Sequence, residues 1–82
     1  MNFEGKKVLV TGGTRGIGLA ISQAFAAQGA LVAAAYHSND AAAAKALAQL
    51  EGAGHSVHKA DVADPEAVER LVSSAWQSLG GL

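Results

Sequence analysis

Short runs in which every position is apolar alternate along this chain with longer stretches in which apolar residues recur every three or four positions. The first run is Lys6-Lys7-Val8-Leu9-Val10-Thr11, closed by Gly12-Gly13. Val8-Leu9-Val10 has no polar face, so a strand here needs cover on both sides, the pattern of a parallel sheet. From Gly16 to Gln28 the period changes. Ile17, Ile21 and Phe25 lie four apart with Ala20, Ala24 and Ala27 beside them, which predicts an amphipathic helix with these residues on its apolar face. Gly29 stands where a C′ glycine would end it.

Leu31-Val32-Ala33-Ala34-Ala35-Tyr36 predicts a second buried strand, its alanines implying that helices approach closely. Ser38 or Asn39 caps the next helix, which runs through the alanine-rich stretch Ala41 to Leu50 and ends at Gly52 or Gly54. Ser56-Val57-His58-Lys59-Ala60-Asp61 is a more polar strand, suited to a sheet edge. Asp64-Pro65-Glu66 opens a third helix, with an N-cap acid, proline at the first helical position and a carboxylate near the positive end of the dipole. Val68, Leu71, Val72, Ala75 and Leu79 keep helical spacing to Gly80-Gly81. The order β-α-β-α-β-α with short connections implies a parallel sheet with right-handed crossovers.

Composition narrows the class. With 82 residues, 50% hydrophobic and 16% charged, the chain is too apolar for a disordered tail and too short for two domains. A formal charge of −1 gives no electrostatic case for nucleic acid or an anionic membrane. The absence of cysteine excludes disulfides, zinc-thiolate sites and a cysteine nucleophile. No secretory leader is expected ahead of Gly5, and the apolar stretch Gly29 to Tyr36 is less than half a membrane span, so a cytoplasmic chain is expected. His37, His55 and His58 lack the spacing of a metal set, so no metal is expected.

The chemistry lies in Thr11-Gly12-Gly13-Thr14-Arg15-Gly16-Ile17-Gly18, which joins the first strand to the first helix. Gly12 takes the tight turn off the strand, Gly16 leaves room for ligand oxygens to reach the backbone, and Gly18 lets the helix sit against the strand. The helix N-terminus then offers free N–H groups and a partial positive charge to a diphosphate. A plain tight turn is the bland alternative; a strand before and an amphipathic helix after it favour the nucleotide.

Thr-Gly-x-x-x-Gly-Ile-Gly at the amino end, with Asp61-Val62 after the third strand, resembles the short-chain dehydrogenase/reductase family. With Tyr36-His37-Ser38-Asn39, the likeness is greatest to bacterial 3-oxoacyl-acyl-carrier-protein and acetoacetyl-CoA reductases. The resemblance implies residues 1–82 as the amino-terminal, cofactor-binding part of one Rossmann-type α/β domain, an incomplete doubly wound sheet of three parallel strands in order 3-2-1. It implies that the Asp61 carboxylate meets the adenine amino group and that the Val62 backbone helps seat the ring; a plain loop acid is the alternative for Asp61. It also implies a small-molecule carbonyl substrate, NADPH-dependent reduction, and a homo-oligomer, commonly a tetramer.

The choice of nucleotide is read from the second strand's end. An NAD site places an acid about 20 residues past the glycines, on the ribose 2′-OH. Here that position is Ser38, flanked by His37 and Asn39, and Asp40 falls where the helix begins. Ser38 and Asn39 can donate hydrogen bonds to a 2′-phosphate, or simply cap the helix. Arg15 supplies a fixed charge and a bidentate fork for the same phosphate, or is a solvated loop cation. NADP(H) is therefore expected over NAD(H). His37 is placed near the adenosine phosphate, His55 and His58 as polar edge residues, and Trp76 as packing or interface surface.

The family's Tyr-x-x-x-Lys is absent: the single tyrosine is Tyr36, followed four positions later by Asp40. No catalytic residue is carried over, and the 82 residues alone are expected not to reduce a carbonyl. Three readings stand: the cofactor-binding part of a reductase, a stand-alone nucleotide-binding module, and a truncated product without activity.

Overall fold

A computed structural model describes residues 3–81. Its elements are β1 (Lys7–Thr11), α1 (Gly16–Ala27), β2 (Leu31–Tyr36), α2 (Asp40–Ala48), β3 (Ser56–Lys59) and α3 (Pro65–Leu79). The strands form one parallel sheet in the order β1-β2-β3, as the alternating pattern requires. Val8 pairs in register with Val32, Val10 with Ala34, and Ala34 in turn with Val57.

That register sorts the side chains by parity, because successive residues of a strand face opposite sides. Val8, Val10, Val32, Ala34 and Val57 join Ala26 and Phe25 of α1 and Leu50 beyond α2 in one core. Leu9, Leu31 and Ala33 join Ala75 and Leu79 of α3 in the other. The molecule is thus three layers, with β2 covered on both faces; Val32, Ala33, Ala34 and Ala35 are buried. Val8, Leu9 and Val10 are only half-buried, because β1 is paired along one edge.

Helix α1 departs from its predicted orientation. The residues expected on its core face point outward: Ile17 is 81% and Ile21 43% exposed. Ala20, Ala24 and Ala27 are exposed as well, and only Phe25 is part-buried. Ser22 and Ala26 are the buried residues of the helix. The cause is steric. A Cβ at Gly13 would lie 2.7 Å from Ser22 Oγ and 2.9 Å from the Ala34 Cβ, so there is no room here for a larger side chain without holding the helix off the sheet. The outward stripe meets Phe3, whose ring packs edge-on against Phe25 at a centroid distance of 5.0 Å.

The remaining differences are at element ends. Asn39, not Ser38, caps α2: its Oδ1 accepts from the Ala42 N–H at 2.9 Å. The helix closes at Gln49, ahead of the two loop glycines. Strand β3 stops at Lys59 because Asp61 begins a turn, its Oδ1 accepting from the Ala63 N–H and its carbonyl from the Asp64 N–H. Helix α3 starts at Pro65, capped by Asp64 as expected, and ends on Gly80 in the left-handed region at φ 75°. Trp76 lies on its outer surface, 55% exposed.

Candidate functional site

The site grows from the turn between β1 and α1. Gly12 (φ 65°) and Gly16 (φ 52°) both occupy the left-handed region, where a side chain is strained. A Cβ added at either would meet nothing within 4 Å, so both face open space. Gly18 has another function: a Cβ there would collide with the Gly12 carbonyl. It packs helix against turn, not helix against strand as expected. The residue that touches the sheet is Gly13, where a Cβ would come within 2.8 Å of the Val10 carbonyl and 2.9 Å of the Ala34 Cβ.

Ser22 locks this arrangement from beneath. Its fully buried hydroxyl lies 2.9 Å from the Gly13 carbonyl and 3.0 Å from the Gly18 carbonyl, and donates its proton between them. A polar residue four positions past Gly18 in an otherwise apolar helix is the sequence signal for this tie.

Arg15 is the N-cap of α1, in extended conformation, and its side chain makes no capping bond. The first helical backbone bond joins the Leu19 N–H to the Arg15 carbonyl, so the amides of Gly16, Ile17 and Gly18 lie ahead of the helical ladder. This uncapped end is a positive, donor-rich surface.

Two cavities flank the turn. One, of about 130 Å³, lies at the carboxyl ends of the strands and is lined by Gly12, Ala35, Tyr36, His37, Ala60 and Val62. The other, of about 330 Å³, separates the turn from α2 and is lined by Thr14, Arg15 and Gly16 on one side and Lys45 and Gln49 on the other. The structure therefore brings Gly12, His37 and Val62 together, and Thr14, Arg15 and Gly16 together. Ser38 and Asn39 lie in the exposed loop after β2 and line neither cavity. Asp61 is exposed and engaged in its own turn. The Ile17 side chain points to solvent, leaving its amide as the group that faces the turn.

A polar brace at the end of β2 escaped the sequence reading. The Tyr36 hydroxyl donates to Asp40 Oδ1 at 2.8 Å, and Lys59 Nζ lies 3.6 Å from Asp40 Oδ2. One carboxylate thus ties β2, α2 and β3 around the loop holding His37, Ser38 and Asn39. The hydrogen bond to Asp40 raises the Tyr36 pKa. The same bond, then the Lys59 charge, lowers that of Asp40. Tyr36 and Asp40 are four apart, but across a strand-to-helix junction where no periodicity announces the contact.

The other histidines are structural. The Val32 N–H donates to His55 Nδ1 at 3.0 Å and His55 Nε2–H donates to the Glu51 carbonyl at 2.6 Å, which fixes the ring's tautomer. His55 thereby substitutes for the strand partner that β3, starting at Ser56, does not extend to provide. His58 Nε2 bonds the Ser56 hydroxyl at 2.8 Å, and burial lowers its pKa.

The sequence profile of short chain dehydrogenases matches residues 6–82. The chain belongs to this family. It is similar to glucose 1-dehydrogenase of Gluconobacter oxydans, 39% identical over 82 residues that cover 98% of this chain and 31% of that protein. It is equally similar to the 3-oxoacyl-acyl-carrier-protein reductase of Escherichia coli, 39% identical over 80 residues that cover 98% and 32%. A crystal structure of a short chain dehydrogenase from Burkholderia cenocepacia J2315 in complex with NADP matches at a TM-score of 0.88 and 42% identity, over 100% of this chain and 34% of that one. The chain spans about a third of the length of these relatives. Among the described residues no helix is long and apolar enough to cross a membrane.

Proposed function

We propose that the chain is the NADP(H)-binding part of an oxidoreductase that reduces a carbonyl compound, a 3-oxoacyl thioester, to the hydroxy compound. The observation that carries the reading is the pair of Cβ-free positions, Gly12 and Gly16, opening onto the uncapped end of α1. Such a cradle fits a diphosphate, because oxygens can approach the amides to hydrogen-bond distance. Bound there, the nicotinamide nucleotide supplies the hydride.

In this reading Gly12, Thr14, Gly16, Ile17 and Gly18 form the turn around the diphosphate. Arg15, with Ser38 and Asn39, addresses the 2′-phosphate; Asn39 keeps its amide N–H groups for that purpose while its Oδ1 caps α2. His37 and Val62 border the pocket that takes the adenosine, and Asp61 stands beside it for the adenine amino group. The NADP in the Burkholderia relative supports the cofactor, and the Escherichia coli reductase supports the substrate class. Glucose 1-dehydrogenase at the same identity marks how little these residues say about substrate. Assembly into a homo-oligomer in the cytoplasm belongs to the same proposal.

No residue of this chain is assigned proton transfer, since the sequence holds no Tyr-x-x-x-Lys. Titration calorimetry on the full chain tests the reading. One NADPH binds per chain, more tightly than NADH, and no carbonyl substrate turns over. Equal affinities, or tighter NADH, overturn the cofactor assignment; binding of neither overturns the site.

A further inference from the structure

The cations divide in a way the proposed site does not use. Lys59 faces Asp40, Arg70 faces Glu66, and Lys7 caps the Gly80 carbonyl at 3.0 Å. Of the remaining cations Lys6, Arg15 and Lys45, none has an ion-pair partner among the described residues, and Arg15 and Lys45 share a cleft that Lys6 does not line. Both line the same 330 Å³ cleft, one from the glycine turn and one from α2, with the uncapped start of α1 between them. Two unneutralised cations facing one cleft make a site for a doubly charged anion. The cleft's polar lining (Thr14, Gln49) supplies further hydrogen-bonding groups, and no carboxylate lines it.

We infer that Lys45 is a specificity-determining residue of this chain, closing with Arg15 on the 2′-phosphate of the nucleotide from the α2 side. The inference rests on the nucleotide reading above and adds a residue to it. Ser38 and Asn39, expected to partner Arg15, do not line this cleft; Lys45 does. A phosphomonoester carries nearly two charges at neutral pH and the diphosphate linkage is common to both nucleotides, so a cation reserved for the former discriminates NADPH from NADH. Lys45 also lies in the last turn of α2, where it complements the helix dipole. That service affects stability alone and leaves nucleotide choice untouched, so the two roles separate by measurement.

The test is calorimetric titration of the full chain and its Lys45→Gln and Lys45→Arg variants with NADPH, NADH, 2′-AMP and 5′-AMP. Lys45→Gln weakens NADPH and 2′-AMP by about fivefold to tenfold, leaves NADH and 5′-AMP within twofold, and flattens the salt dependence of NADPH binding. Lys45→Arg restores the preference. An equal loss for NADPH and NADH places the lysine on the diphosphate and overturns the assignment; so does an unchanged preference. A parent chain that binds neither nucleotide, or does not prefer NADPH, refutes the underlying reading instead, and the Lys45 assignment falls with it. Lys45 is exposed, and an unchanged circular dichroism spectrum verifies that each variant keeps the fold.

Discussion

Replacing Gly16 and Gly18 by alanine, one at a time, separates what the turn does for a ligand from what it does for the fold. At Gly16 an added methyl meets no atom within 4 Å, and its cost to the fold is the left-handed φ of 52°. That conformation costs an alanine about 1–2 kcal/mol, of which roughly 0.4–1 kcal/mol is recovered because the unfolded chain is stiffer. Net destabilisation is therefore roughly 0–1.6 kcal/mol. The methyl projects beside the amides that open α1, where it holds a phosphate oxygen at van der Waals separation. A charge-assisted hydrogen bond is worth roughly 1.5–3 kcal/mol, so losing one weakens NADPH binding by about 10- to 100-fold.

At Gly18 the balance reverses, because the methyl collides with the Gly12 carbonyl and the turn has to move. Overpacking of this kind costs about 1–3 kcal/mol or more, and in a domain this small each kcal/mol lowers Tm by roughly 4–8 °C. Thermal unfolding by circular dichroism and calorimetric titration with NADPH read the two effects separately. Gly16→Ala loses affinity with the smaller fall in Tm, whereas Gly18→Ala loses Tm by more. A Gly16→Ala chain that binds NADPH as the parent does removes the cradle from the argument, and a Gly18→Ala chain as stable as the parent contradicts the described turn.

Ser22→Ala leaves the Gly13 carbonyl without the hydroxyl 2.9 Å away; against the small gain in helix propensity, urea unfolding shows a net loss of about 1–2 kcal/mol. His55→Ala removes the acceptor of the Val32 N–H, and hydrogen exchange detects the loss as faster exchange at that one amide, with stability lower by about 1–3 kcal/mol. Tyr36 is the sole tyrosine, so absorbance at 295 nm follows it alone, and it ionises above its ordinary 10.0 in the parent and closer to that value in Asp40→Asn. Since the folded state raises the tyrosine and lowers the aspartate, the brace is intact between the two titrations. It fails as pH rises through the tyrosine's value or falls through the aspartate's.

Much of this architecture was legible because backbone demands show directly in sequence. Asp64-Pro65 begins α3 and Gly80 ends it, since few residues fit a first helical position or a left-handed cap. β2 was legible over its full length, Leu31 to Tyr36, because a strand covered on both faces has no polar alternation to confuse with a loop. The glycine turn was legible for the same reason: Gly12 and Gly16 hold conformations that other residues avoid. What periodicity did not carry was contact between elements. Asp40 meets Tyr36 and Lys59 from three different elements, and Lys45 faces Arg15 across 30 residues of chain.

The orientation of α1 shows why hydrophobicity alone misleads at a close-packed site. An apolar stripe ordinarily faces the core, which for α1 predicts Ile17, Ile21 and Phe25 inward. Yet the strand beneath turns Ala34 toward α1, and a small residue on a central strand lets an equally small helix face approach closely without leaving a void. Gly18, Ser22 and Ala26 repeat every four residues and supply that face, so the helix descends far enough for Ser22 to bond the Gly13 carbonyl. Size complementarity, not apolar content, selected the inward side. The same descent sets the start of α1 over the turn and so positions the amides of Gly16 to Gly18. Enlarging Ser22 or Ala26 therefore disturbs the cradle through the helix, and Ile17, although adjacent to it, tolerates a polar substitution without cost to the fold.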